Sequence, residues 1–107
     1  MVKRGDVLWA TLEEPFGRRQ VCVVTRTAAI ASLHSVMCAP ITRRIRGIRS
    51  EVVVGPREGL PDWSAISCDN LILVSHSELQ ESPVGSLDSL RSRQLDLALG
   101  YALGSDA

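Results

Sequence analysis

The sequence predicts a mainly β domain, a small antiparallel barrel with one helix at its C-terminal end. Three observations carry that expectation. The first three-quarters of the chain breaks into short apolar runs separated by Gly and Pro. The last quarter switches to an apolar step of three to five residues. The length is 107 residues, with 45% hydrophobic and 22% charged side chains. Those values fit a single domain over 1–107 with one core, and they exclude a disordered or collagenous chain. No run approaches the roughly 20 apolar residues of a membrane span. The opening MVKRGD turns polar before any apolar segment could act as a secretion signal.

The elements follow in order. VLWAT at 7–11 is apolar with one aromatic and reads as the first strand. EEPFGRR at 13–19 breaks it with Pro15 and Gly17. QVCVVTR at 20–26 is a continuous apolar run and reads as a central strand buried on both faces. TAAIAS at 27–32 is a linker with room for one helical turn. SVMCAPI at 35–41 is the next strand, with Pro40 near its end, where a missing N–H costs least. RRIRGIRS at 43–50 is a charged loop turning at Gly47, and EVVV at 51–54 is a fourth strand closed by Gly55-Pro56. SAISCDNLILVS at 64–75 is one long bent strand or two short ones. Beyond Pro83 and Gly85, Asp88 is placed to cap a helix N-terminus. Leu87, Leu90, Leu95, Ala98 and Ala102 form its apolar stripe, and Gly104 stops it. Five or six strands and one helix result.

The net charge is zero, but the halves are unequal. Residues 1–49 carry nine basic and three acidic side chains, and residues 50–107 carry the reverse. Either the first half meets an anionic partner, or carboxylates from the second half fold in among its cations. Eleven of the twelve basic residues are Arg, whose planar fork grips phosphate at two points. Cys22, Cys38 and Cys68 include no CxxC pair and have no His at ligand spacing, so the sequence offers no metal site and none is expected. Their odd number, without a leader, points to a reducing cytosol. His34 and His76 could form an acid–base pair in principle. They fall in separate polar turns, and nothing in their spacing brings them together.

In this partition the chain resembles the MazF/PemK family of bacterial toxins, over nearly its whole length. KRGDVLWATL at 3–12 is similar to the family's opening Arg-Gly-Asp and apolar first strand. GRRQVCVV at 17–24 matches its Gly-x-Arg-Pro and valine-rich strand, with Gln20 where Pro is usual. APIT at 39–42 matches an Ile-Thr pair followed by basic residues. SAISCDNLILV at 64–74 matches a strand pair around an acidic-Gln step, with Asn70 in place of the Gln. GSLDSLRSRQLDLALGYALG at 85–104 matches the terminal helix. The loop between the first two strands is shorter than the family's.

The resemblance implies an SH3-like, CcdB-like barrel plus helix. It also implies a homodimeric, cofactor-free and metal-independent cytoplasmic endoribonuclease. Its partners would be single-stranded RNA, as mRNA or as tRNA or rRNA loops, and a MazE-type antitoxin binding through an acidic C-terminal segment. The family's catalytic Arg and Thr fall on Arg19 and Thr42. Cleavage without metal uses the ribose 2′-hydroxyl as nucleophile, so rate comes from in-line positioning and from donors that stabilise charge on the phosphoryl oxygens. A guanidinium and a hydroxyl suit that task. An arginine is a poor proton shuttle, because its pKa lies above about 12. The general base therefore stays unassigned. Arg43, Arg44, Arg46 and Arg49 form a backbone-tracking loop. Phe16 is a base-stacking candidate beside Gly17 and Arg18, and Asp69 either orients an Arg or is a turn carboxylate. Two other functions fit such a chain: a CcdB-like gyrase inhibitor, although the ALGSDA terminus lacks an aromatic-aliphatic tip, and a non-catalytic RNA-binding barrel.

Overall fold

The computed structural model describes residues 2–105. Seven strands run β1 (Asp6–Thr11), β2 (Arg18–Val23), β3 (Ser35–Thr42), β4 (Glu51–Val54), β5 (Ser64–Ser67), β6 (Ile72–Ser75) and β7 (Gly85–Ser86). One turn of helix, α1 (Thr27–Ile30), joins β2 to β3, and α2 (Ser89–Leu103) ends the fold. Every pairing is antiparallel. The strand order is β4-β5-β3-β2-β1-β7, with β6 also on β3, and the sheet curls into a half-barrel.

The 64–75 segment resolves into two strands on the same edge of β3. Ile41 faces Ile66, whereas Cys38 faces Ile72. Three steps back along β3 are thus matched by six along the other strand. The three residues looped out are Cys68, Asp69 and Asn70, which form a 3₁₀ turn. Ala39 and Pro40 have no ladder partner on that edge, so a proline is tolerated inside the most central strand. Extra residues of this kind re-aim side chains next to a site.

The continuous apolar runs have a simple cause. The sheet is covered on both faces, so neighbouring residues enter different clusters. Val7, Cys22, Ala39 and Ile66 pack under α2 with Leu95, Ala98 and Leu99. Leu8, Val21, Val23, Val36 and Cys38 pack on the other face beneath Ile30. All three cysteines are free and buried. Burial pushes the Cys38 thiol up to about 12 and the Cys68 thiol up to about 11. It raises Cys22 further still. These are inert packing groups, as their apolar surroundings predict.

Asp88 caps α2 by accepting the Arg91 amide at 2.8 Å, and Gly104 ends it in the left-handed region at φ +81°. Arg4 ties the helix to the sheet, donating to the Val24 carbonyl and, at 2.6 Å, to Asp96. Only part of the expected stripe is covered. Leu95 and Ala98 are buried, together with Leu99, whereas Leu90 is exposed, as are Leu97 and Leu103 outside the stripe. The five-residue step from Leu90 to Leu95 puts those two on different sides of the helix.

Two glycines are set by neighbours. A Cβ on Gly55 would lie 2.6 Å from the Trp63 ring. Continuing the β4–β5 register makes these two cross-strand partners, so the indole shields a glycine that has no side chain of its own. At the other side, the turn after β4 meets β7, which brings the two ends of the strand order together. There Gly59 and Gly85 sit backbone against backbone. β7 carries no strand signal in the sequence, because it is only two residues long and follows closely on Pro83. No helix among the described residues is long and apolar enough to cross a membrane.

Candidate active site

The site grows from a divergence of two strands. β2 and β3 pair through Val21–Pro40, Cys22–Ala39 and Val23–Cys38. Continuing that register sets Arg19 opposite Thr42, but there the strands part, because β3 turns to pair with β5 through Ile41 and Thr42. The Arg19 side chain bridges the notch, its Nη2 donating to the Ile41 carbonyl at 3.1 Å. Arg19 and Thr42 are both half-buried. Both line two depressions that meet at the notch, a cleft of about 510 Å³ and a narrower groove of about 260 Å³.

The pair is arranged to donate. A guanidinium has five N–H groups, and the described bond to Ile41 occupies one side of the fork. The Thr42 Oγ1 accepts the Arg44 amide at 3.1 Å, which leaves its own O–H able to donate to a ligand. A phosphate over the notch would thus meet a fork and a hydroxyl.

The cleft draws its walls from three elements. Leu12 and Phe16 come from the β1–β2 loop, where the Gly17 carbonyl accepts the Leu12 amide at 2.9 Å. Gly17 adopts φ +61°, so it shapes the turn rather than the cleft wall. Phe16 is 60% exposed at the mouth, a ring free to stack. Arg44 and Arg46 come from the β3–β4 loop. Asp69 and Asn70 come from the looped-out turn. Asp69 accepts the hydroxyl of buried Ser50, and Asn70 Nδ2 donates to Ser67 at 2.8 Å. Asp69 is thus a turn carboxylate braced by a serine, with no described bond to Arg19.

Glu51 was missed by sequence reasoning. Its Oε1 accepts the Arg46 amide at 2.9 Å and the Gly47 amide at 3.2 Å. It therefore holds the arginine loop at the cleft. The available signal was position, as the first carboxylate after thirty-odd residues with none, directly behind the loop. Carboxylates from the acidic half do fold in among the cations, and a basic cleft remains.

The other arginines are dispersed. Arg18 points to the opposite face of β2 from Arg19. It stacks over Trp9 at 4.2 Å and lines the narrow groove with Arg43. Arg43 pairs with Asp62 at 3.2 Å, both well exposed. Arg49 does not reach the cleft. It lies over the Tyr101 ring at 4.3 Å, beside α2. The histidines correct the sequence reading. Ser35 pairs with Ser75, and His76 Nε2 lies 2.8 Å from the Leu33 carbonyl, so His34 and His76 are brought to the same end of the β3–β6 ladder. Seven strand steps, roughly 23 Å, separate that end from Thr42. They are therefore outside the cleft.

Residues 3–103 match the family described as PemK-like, MazF-like toxin of type II toxin–antitoxin systems. The probable endoribonuclease MazF5 of Mycobacterium tuberculosis is 40% identical over 101 residues, covering 94% of this chain and 91% of that one. Endoribonuclease MazF3 of the same species is 34% identical over 88 residues, 82% of this chain and 84% of its own. Among solved structures, the M. tuberculosis toxin MazF-mt6 superposes with a TM-score of 0.84 at 31% identity, covering 92% of this chain and 96% of that one. A mycobacterial endoribonuclease in complex with its cognate antitoxin shares the fold at a TM-score of 0.83 and 23% identity, over 97% and 96% of the chains.

Proposed function

Because this chain belongs to the PemK-like, MazF-like toxin family of endoribonucleases, we propose that it cleaves single-stranded RNA at the Arg19–Thr42 notch without a metal ion. The observation that carries the reading is that one guanidinium and one hydroxyl border the place where two depressions join.

The bound strand crosses the notch with a phosphodiester on Arg19. The 2′-oxygen attacks phosphorus, the bond to the 5′-oxygen breaks, and the 2′ proton leaves as the 5′-oxygen gains one. The products are a 2′,3′-cyclic phosphate and a 5′-hydroxyl. Charge rises on the non-bridging oxygens, where the fork and the Thr42 hydroxyl stabilise it without rearranging. Arg44 and Arg46, together with Phe16, take the flanking backbone and a base. Arg43 and Arg18 extend the cationic track along the narrow groove, and Arg49 lies off it.

The same exposed cations call for a silencer. A MazE-type antitoxin with an acidic, flexible C-terminal segment suits this cleft, ordering on it as it binds. The relative solved with its cognate antitoxin supports that partner. A second copy of the chain suits the exposed leucines of α2, and a cytoplasmic setting suits the free thiols.

The test is incubation of the protein with RNA in excess EDTA, with the product ends identified by mass. Cyclic phosphate and 5′-hydroxyl ends are expected. Intact RNA, or 3′-hydroxyl and 5′-phosphate ends, would overturn the reading.

A further inference from the structure

The cleft and the narrow groove lie on opposite faces of the β2 edge, because neighbouring strand residues point to opposite sides. Arg19 and Thr42 border both, while Arg18 and Gln20 border only the groove. A strand whose scissile phosphate rests on the notch must place a nucleotide on each side. The groove is thus occupied by substrate, and its walls include one neutral reader.

Gln20 is that reader. It is half-buried, and among the described residues its side-chain amide makes no hydrogen bond. Its surroundings explain the idle amide. The Arg18 guanidinium rests on Trp9, the cross-strand neighbour of Gln20. Arg43 is held on Asp62 across the groove. The amide is open to solvent, and its two donors and its acceptor are unengaged by protein, so a ligand entering the groove can take them. Asp62 adds a carboxylate on the opposite wall, and Ser64 is fixed by donating to the Asp62 carbonyl at 3.0 Å.

We propose that Gln20 is a specificity-determining residue that reads the base of one nucleotide next to the cleaved bond, favouring adenine or cytosine over uracil or guanine. This rests on the nuclease reading above and adds the base class. An adenine or cytosine edge offers an amino group beside a ring nitrogen. The Gln20 carbonyl accepts from the amino group and its NH₂ donates to the ring nitrogen, the bidentate pairing an amide makes. The second amino hydrogen faces the Asp62 carboxylate. Uracil and guanine would turn a carbonyl oxygen toward that carboxylate instead.

The test uses the full chain, a random-sequence RNA pool and sequencing of the cut ends. Wild type, Gln20→Ala and Gln20→Glu are compared, with thermal melts to establish that each is folded. In wild type, one position beside the cut is expected to prefer adenine or cytosine. In Gln20→Ala that preference falls at least about tenfold, while the preferences at other positions hold. Gln20→Glu, still an acceptor, keeps part of the bias toward amino bases. An unchanged profile, a uniform loss at all positions, or a wild-type preference for uracil or guanine there would overturn the assignment while leaving the nuclease intact. Failure of the wild type to cut any RNA would instead overturn both, and is seen in the first arm alone.

Discussion

Arg19→Ala is expected to lower RNA cleavage by about a hundredfold to a thousandfold, with the melting temperature nearly unchanged. The loss would be large because, in the proposed reaction, the guanidinium meets the charge that develops on the non-bridging phosphoryl oxygens. The fold survives because Arg19 stands where the β2–β3 ladder has already opened, half-exposed, with its described hydrogen bond going to one carbonyl. Arg19→Lys should fall between the two, since an ammonium keeps the charge and loses the fork. Single-turnover rates in EDTA decide the matter. A variant that cuts at the wild-type rate would mean that the phosphate does not rest on Arg19.

Gly85→Ala is expected to be strongly destabilising, by about 3 kcal/mol or more. A Cβ there would lie 2.2 Å from the Glu58 carbonyl oxygen and 2.5 Å from its carbon, and backbone atoms have no flexible end to swing aside. β7 would have to leave the turn after β4, opening the seam at which the two ends of the strand order meet. That turn is otherwise well tied. Buried Glu58 accepts the Gly55 amide at 2.7 Å, and Val84 donates to the Val7 carbonyl at 2.8 Å. At roughly 4–8 °C per kcal/mol for a domain near this size, the melting temperature falls by about 12 °C or more. Gly47→Ala is the contrast: φ is +70° but nothing lies within 4 Å, so only left-handed strain of about 1–2 kcal/mol is added. Equal melts for the two variants would mean that the seam does not hold the barrel.

Much of this architecture was legible as pattern. The runs at 7–11, 20–26 and 35–41 mark strands because a sheet covered on both faces needs unbroken apolar stretches, whereas the run at 51–54 buries Val52 and Val54 and leaves Val53 exposed. Asp88 and Gly104 marked the ends of α2 because capping is local chemistry. The split at Cys68–Asn70 was not decidable from residues, since it is a slip of register against β3. The same slip carries Asp69 to Ser50, and the β3–β6 ladder carries His76 to Leu33. Contacts of this kind depend on which strands pair. Arg19 and Thr42 were singled out through resemblance, and both border the notch where β2 and β3 separate. Arg49 went astray for a plain reason: it shares a charged loop with Arg44 and Arg46, but a loop has two ends, and the far one lies against Tyr101.

In the proposed reaction the attacking group is the RNA's own 2′-hydroxyl, held in line over the Arg19–Thr42 notch. A short RNA carrying a single 2′-deoxy sugar at the nucleotide on the 5′ side of the preferred cut decides this. That bond should be spared completely in EDTA, while the oligonucleotide still competes with unmodified RNA for the protein. Cleavage of the deoxy substrate at the same bond would mean that water or a protein group attacks phosphorus, and the 2′-hydroxyl mechanism would fall.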